Sequence, residues 1–148
     1  MIRQATHEDI PVLLDLGEVM HGESPRYSRL RFSRERLATT LHQLLISPDG
    51  FLWVAESDEG VFGGMAAIVS THWASEDRIA SDLALFVDPQ HRGGLAVLRL
   101  INRYRWWARE KKASITQVGL TTGVNTEDTA RLLERLGLTR CGVILENI

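Results

Sequence analysis

Leu83-Ala84-Leu85-Phe86-Val87-Asp88-Pro89-Gln90-His91-Arg92-Gly93-Gly94-Leu95-Ala96-Val97-Leu98-Arg99-Leu100 is the stretch whose reading decides the fold. An apolar extended run stops at Pro89, a short turn carries Arg92, Gly93 and Gly94, and a helical pattern follows. Glycine in such a turn lets backbone approach a ligand closely. The first turn of the helix presents N–H groups that lack partners within it. A pyrophosphate suits that arrangement, although many helix starts use glycine for packing alone.

Working outward, Ile79 to Val87 is a strand, Gly94 to Lys112 a helix and Ser114 to Thr121 a strand. Such a β-α-β unit makes its two strands parallel with a right-handed crossover. Upstream, the turns Ser47-Pro48-Asp49-Gly50 and Ser57-Asp58-Glu59-Gly60 flank strand formers from Phe51 to Glu56 and precede others from Val61 to Thr71. These two runs predict an antiparallel hairpin. Ser33 can cap a helix bearing Leu37, Leu41, Leu44 and Leu45 at helical spacing. Leu13, Leu14, Leu16, Val19 and Met20 mark an earlier helix, with Thr6 and Asp9 as competing caps and Pro11 in its first turn. His21 to Phe32 reads as a loop, and Ile2 to Ala5 as a short strand. Beyond the central unit, Asn125 can cap a helix to Leu136, Gly137 ends it, and Leu138 to Leu145 is predicted to close the sheet. The order is β-α-α-β-β-β-α-β-α-β, an α/β mixed sheet with helices on both faces.

The chain has 148 residues, enough for one domain spanning 1–148. A net charge of −2 offers no basic footprint for nucleic acid or anionic lipid. No apolar run approaches the roughly 20 residues of a membrane span, and no leader-like segment opens the sequence, so a cytoplasmic location is expected. The one cysteine, Cys141, lies in an apolar run and reads as a small buried thiol. His7, His42 and His91 show no metal-ligand spacing, so no metal is expected.

The central stretch resembles the cofactor motif of the GNAT (GCN5-related N-acetyltransferase) superfamily, V-x-P-x-x-R-G-x-G-x-G/A. Val87, Pro89, Arg92 and Gly93 match it in type and spacing. The opening Ile2-Arg3-Gln4-Ala5-Thr6 with Asp9-Ile10-Pro11 is similar to a GNAT start. Ala130-Arg131-Leu132-Leu133-Glu134-Arg135-Leu136-Gly137 is similar to a GNAT last helix. Leu95 and Val97 stand where the family's second and third glycines fall, and the Arg-Gly-Gly-x-Ala form resembles a branch of short GNAT proteins. The resemblance implies a GNAT fold, with about six to seven strands flanked by about four helices. It also implies a site for acetyl-CoA, the acyl donor. The backbone of Leu85, Phe86 and Val87 would pair with the pantetheine arm. The N–H groups of Arg92, Gly93, Gly94, Leu95, Ala96 and Val97 would hold the pyrophosphate. Asn125 would lie near the thiol, or serve only as a cap.

The reaction so implied is direct attack of a primary amine, on a small molecule or a protein, upon the thioester in a ternary complex. An ammonium has no lone pair, so a base or water chain must take its proton. Asp82 is the leading candidate because it interrupts an apolar strand, where an unpaired carboxylate is costly. Glu23 and His21, in the loop where the family shapes its acceptor site, come next, followed by His72 beside Trp73. The family's thiolate-protonating tyrosine is replaced by Leu133. Of the two remaining tyrosines, Tyr104 falls on the core side of its helix, with Trp107, and Tyr27 lies in the acceptor-side loop. Trp106 points the other way, either simply exposed or at a homodimer contact. Arg26, Arg29 and Arg31 raise an acidic acceptor or partner, against the plainer reading of a solvated loop. The alternative to an enzyme is a non-catalytic acyl-CoA-binding module, or a GNAT-fold protein that binds a partner.

Overall fold

The computed structural model describes residues 1–147. Five strands lie in spatial order β1 to β5: β1 (Ile2–Gln4), β2 (Gly50–Ser57), β3 (Gly60–Thr71), β4 (Arg78–Val87) and β5 (Ile115–Gln117). The first four are antiparallel neighbours, and β4 and β5 are parallel. The predicted hairpin and the β-α-β unit are therefore both present. Helices α1 (Ile10–Glu23), α2 (Arg34–Ile46), α3 (Leu95–Glu110) and α4 (Thr126–Arg135) flank the sheet.

Strand alternation sorts the core into two faces. Phe51, Ala55, Met65 and Ala67 pack with Leu100, Ile101, Tyr104 and Trp107 of α3 and Leu133 of α4. Leu52, Val54 and Ala66 pack against Leu13, Leu41 and Leu44 of α1 and α2. In β4 the alternation changes phase. Ala66 pairs with Ala84 and Ala67 with Asp82, so Leu83 is an extra residue in a bulge. Ala80 thus faces α3, whereas Ala84 and Phe86 face α1 and α2.

Local chemistry explains the helix limits. The Ser33 hydroxyl accepts from Arg36 N–H at 3.1 Å and starts α2. Asp9 precedes α1, and its carboxylate accepts Thr6 N–H at 2.8 Å and a bidentate pair from Arg3 at 2.8 and 2.9 Å. α1 continues to Glu23, so His21, Gly22 and Glu23 form its last turn rather than the start of the expected loop. Pro25 disfavours helical backbone at Ser24, which is extended and ends the helix.

Two expectations are corrected. Among the described residues the sheet has five strands, not six to seven, and Leu138–Leu145 is not among them. A further strand would need a row of free backbone groups. β5 offers three residues, and its Gln117 C=O already accepts from Tyr104 Oη at 2.7 Å. The C-terminal segment instead runs outside the sheet, with Val143 87% and Leu145 91% exposed. Cys141 lies in that segment and is exposed, not buried as its apolar neighbours suggested.

Candidate acyl-donor and acceptor site

The β4–β5 ladder holds only from Ile79–Ile115 to Ser81–Gln117. Beyond it the strands part, leaving Leu83 to Val87 without a strand on that side. Asp82 sits at the parting. Its Oδ1 accepts Gly119 N–H at 2.8 Å, in place of the backbone bond that would have continued the ladder. Burial pushes the Asp82 carboxyl above its ordinary value, and the Gly119 hydrogen bond only partly opposes that shift. Tyr104 is also pushed up, chiefly by burial and then by the nearby Asp82 charge.

From the end of β4, Asp88 accepts Gln90 N–H at 2.9 Å, and the His91 ring stacks on Phe62 at 4.3 Å, fixing the turn. Gly93 has φ +84, a conformation that favours glycine. A Cβ on Gly94 would meet only His91 C=O, at 3.6 Å. No side chain caps α3, so its first N–H groups remain available to an anion. An open depression of about 510 Å³ lies there, lined in part by Arg92, Gly93, Gly94, Leu95, Ala96 and Arg99. Leu95 is 64% exposed. Its side chain points outward, and the turn remains open to a diphosphate without the family's second glycine.

The other candidates are already engaged. Arg92 donates to both Glu23 oxygens at 2.7 Å and also to Val87 C=O. Those Arg92 hydrogen bonds hold the Glu23 carboxyl below its ordinary value. His21 Nε2 donates to Leu30 C=O at 2.6 Å. Asn125 occupies the residue before α4 in left-handed backbone, φ +49, and its side chain does not cap the helix. Leu133 is 5% exposed and packs into the α3–α4 core. Among the candidate bases, Asp82 alone lies between the parted strands.

On the far side of the opening, the sequence pointed to Tyr27 but not to Ser24 or the Thr121-Thr122-Gly123 turn. The buried Ser24 hydroxyl donates to Thr122 C=O, and Tyr27 Oη pairs with Thr121 Oγ1. Gly123, φ +81, lies so close to Pro25 that a Cβ would be 2.9 Å from its ring. The end of α1 and the α1–α2 connection therefore span the opening, tied to the turn after β4 through Glu23–Arg92 and to the chain after β5 through Ser24 and Tyr27. Thr121-Thr122-Gly123 is a turn-like triplet, and that was its only sign in the sequence. Among the described residues, no helix is long and apolar enough to cross a membrane. Nor does any group of three or more His, Cys, Asp or Glu there stand ready to hold a metal.

Parted parallel strands thus lead toward an uncapped helix N-terminus. The chain belongs to the acetyltransferase (GNAT) family, whose model matches residues 17–138. No curated protein sequence matches it. Solved structures share the fold at low identity. A GCN5-related N-acetyltransferase from Ralstonia eutropha JMP134 is 22% identical, with a TM-score of 0.77, covering 100% of this chain and 97% of that one. Aminoglycoside N-acetyltransferase AAC(6')-Iy, in complex with CoA, is 14% identical with a TM-score of 0.78, covering 100% and 93%. A transcriptional regulator from Bacillus halodurans C-125 is 18% identical with a TM-score of 0.77, covering 100% and 98%.

Proposed function

We propose that this protein transfers an acetyl group from acetyl-CoA to a primary amine by direct attack in a ternary complex. The observation that carries this reading is the parting of β4 from β5 at Asp82, which opens onto the uncapped N-terminus of α3. The exposed Leu95 side chain and the open surroundings of Gly93 and Gly94 suit a diphosphate. The backbone of Leu85, Phe86 and Val87 would pair with the pantetheine arm, and the N–H groups from Arg92 to Val97 would hold the pyrophosphate. Acetyl-CoA supplies a thioester carbonyl open to attack.

Asp82 takes the proton from the incoming ammonium, directly or through water. Burial raises its pKa toward the range useful to a general base. A β4 N–H beside the bulge donates to the developing oxyanion. No side-chain acid is needed at residue 133, because a thiol of pKa ~8.5 can leave as thiolate. Arg92 holds the α1 terminus to the turn through Glu23 and contributes to the diphosphate site mainly through its backbone.

The buried Leu133 favours a second reading, an acyl-CoA-binding module without turnover. Acetyl-CoA should raise the melting temperature under both readings, and CoA release with a mixed panel of primary amines separates them. A melting temperature unmoved by millimolar acetyl-CoA, with no calorimetric binding, would overturn both.

A further inference from the structure

A carboxylate already sits against the α1–α2 connection. Glu146 Oε1, from the C-terminal segment, accepts from Arg26 Nε at 2.9 Å and lies 3.5 Å from Arg29 Nη2. Arg26, Tyr27, Arg29, Leu30 and Glu146 line a cavity of about 250 Å³. That volume is small even among small-molecule sites and leaves little room for a folded protein's side chain and backbone together. The cavity adjoins the opening: Arg26 Nη1 lies 3.1 Å from Tyr27 Oη and 3.5 Å from Thr121 C=O. Two residues back from Thr121, Gly119 donates to Asp82. Two residues of extended chain span at most about 7 Å, so Arg26 and Asp82 border the same opening.

Cationic groups outnumber anionic ones here. Arg26 and Arg29 face the cavity, and Arg31 follows in the same connection. Glu23, the last residue of α1, has both oxygens held by Arg92. Among the described residues that line the cavity, a polycation would meet arginines with only Glu146 to balance them. A ligand carboxylate would instead take the place of Glu146, whose side chain is 38% exposed and whose ion pairs are of the weak, solvent-accessible kind.

We infer that the acceptor is a small primary amine that also carries a carboxylate. Arg26 and Arg29 clamp that carboxylate, and Glu146 is its internal stand-in. This inference rests on the acetylation reading above. The clamp turns the amine toward Asp82 and makes Arg26 and Arg29 residues of acceptor specificity. Glu146 competes for the same guanidinium groups and so weakens acceptor binding.

The test compares kcat/KM, measured by CoA release, for 4-aminobutyrate, butylamine and 1,4-diaminobutane. The amino acid should exceed both carboxylate-free amines by about tenfold or more, as expected where a charged hydrogen-bonding pair is lost. Glu146→Gln should lower KM for 4-aminobutyrate and leave KM for butylamine in place. Arg29→Gln should erase the preference. Should that variant fail to fold, Arg26→Lys, which keeps the charge but not the fork, should shrink it. Equal or better turnover of the carboxylate-free amines overturns the inference and leaves acetylation standing. If none of the amines reacts, glutarate binding to Glu146→Gln by calorimetry decides. Binding that Arg29→Gln abolishes supports the clamp while acetylation fails, and no glutarate binding overturns the clamp.

Discussion

Asp82→Asn separates the two tasks of that carboxylate. Asparagine keeps an oxygen for Gly119 N–H, now 2.8 Å away, so the parting of β4 and β5 should survive. The loss is the charge-assisted part of one hydrogen bond, about 1 kcal/mol. The gain is relief from burying a charge, and it is the larger effect, because burial raises the Asp82 pKa despite the Gly119 bond. A group with a raised folded-state pKa makes stability fall as pH climbs from the unfolded value of 3.8 through the folded one, and then level off. Asparagine has no such fall. Urea denaturation should find the variant at least as stable as the parent at about pH 8, with that advantage gone at about pH 3. Turnover should move the other way, dropping roughly 10²–10⁴-fold with loss of the base. Acetyl-CoA affinity should stay within a few-fold, since base removal acts on the transition state. Full turnover at every pH would remove Asp82 from the chemistry. Equal destabilisation at both pH values would show that burial does not govern its energetics.

Gly93→Ala forces φ +84 on a residue with a Cβ in otherwise open space. It should cost roughly 1–2 kcal/mol through backbone strain alone, whereas Gly94→Ala, at φ −85, should stay within about 0.5 kcal/mol in the same denaturant titration. Leu133→Tyr should lose about 1–3 kcal/mol by overpacking the α3–α4 core and bring no gain in CoA release. A faster enzyme would show that residue 133 reaches the departing sulfur. The Arg3 hydrogen bonds hold the Asp9 carboxyl below its ordinary value against the effect of burial. Its stabilisation is present above the unfolded pKa of 3.8 and is lost as pH falls below it. Asp9→Asn should therefore lose stability at neutral pH, and melts of the two proteins should converge in acid.

Much of the architecture was legible residue by residue. The hairpin turns, Ser33 before α2, Pro89 at the end of β4 and the glycine turn before α3 act through local backbone chemistry, so composition and spacing suffice to place them. The β-α-β unit follows from connection geometry, and the apolar spacing of Ile101, Tyr104 and Trp107 placed the α3 face correctly. The turn on which the diphosphate proposal rests was legible for the same reason. Every group invoked there lies within a dozen consecutive residues.

Tertiary structure decided what depends on distant partners. The apolar run from Leu138 to Leu145 has strand composition, but strand formation needs an edge, and β5 is short with its Gln117 carbonyl already occupied. Cys141 is exposed for that reason. The extra residue at Leu83 and the Asp82–Gly119 bond depend on the register between strands, which no local pattern encodes. Glu23 is drawn to Arg92 across 69 positions of chain. Glu146 reaches Arg26 across 120. Side chains chosen for their chemistry alone could be read as free bases or loop charges, but their engagement is set by which surfaces the sheet and helices bring together.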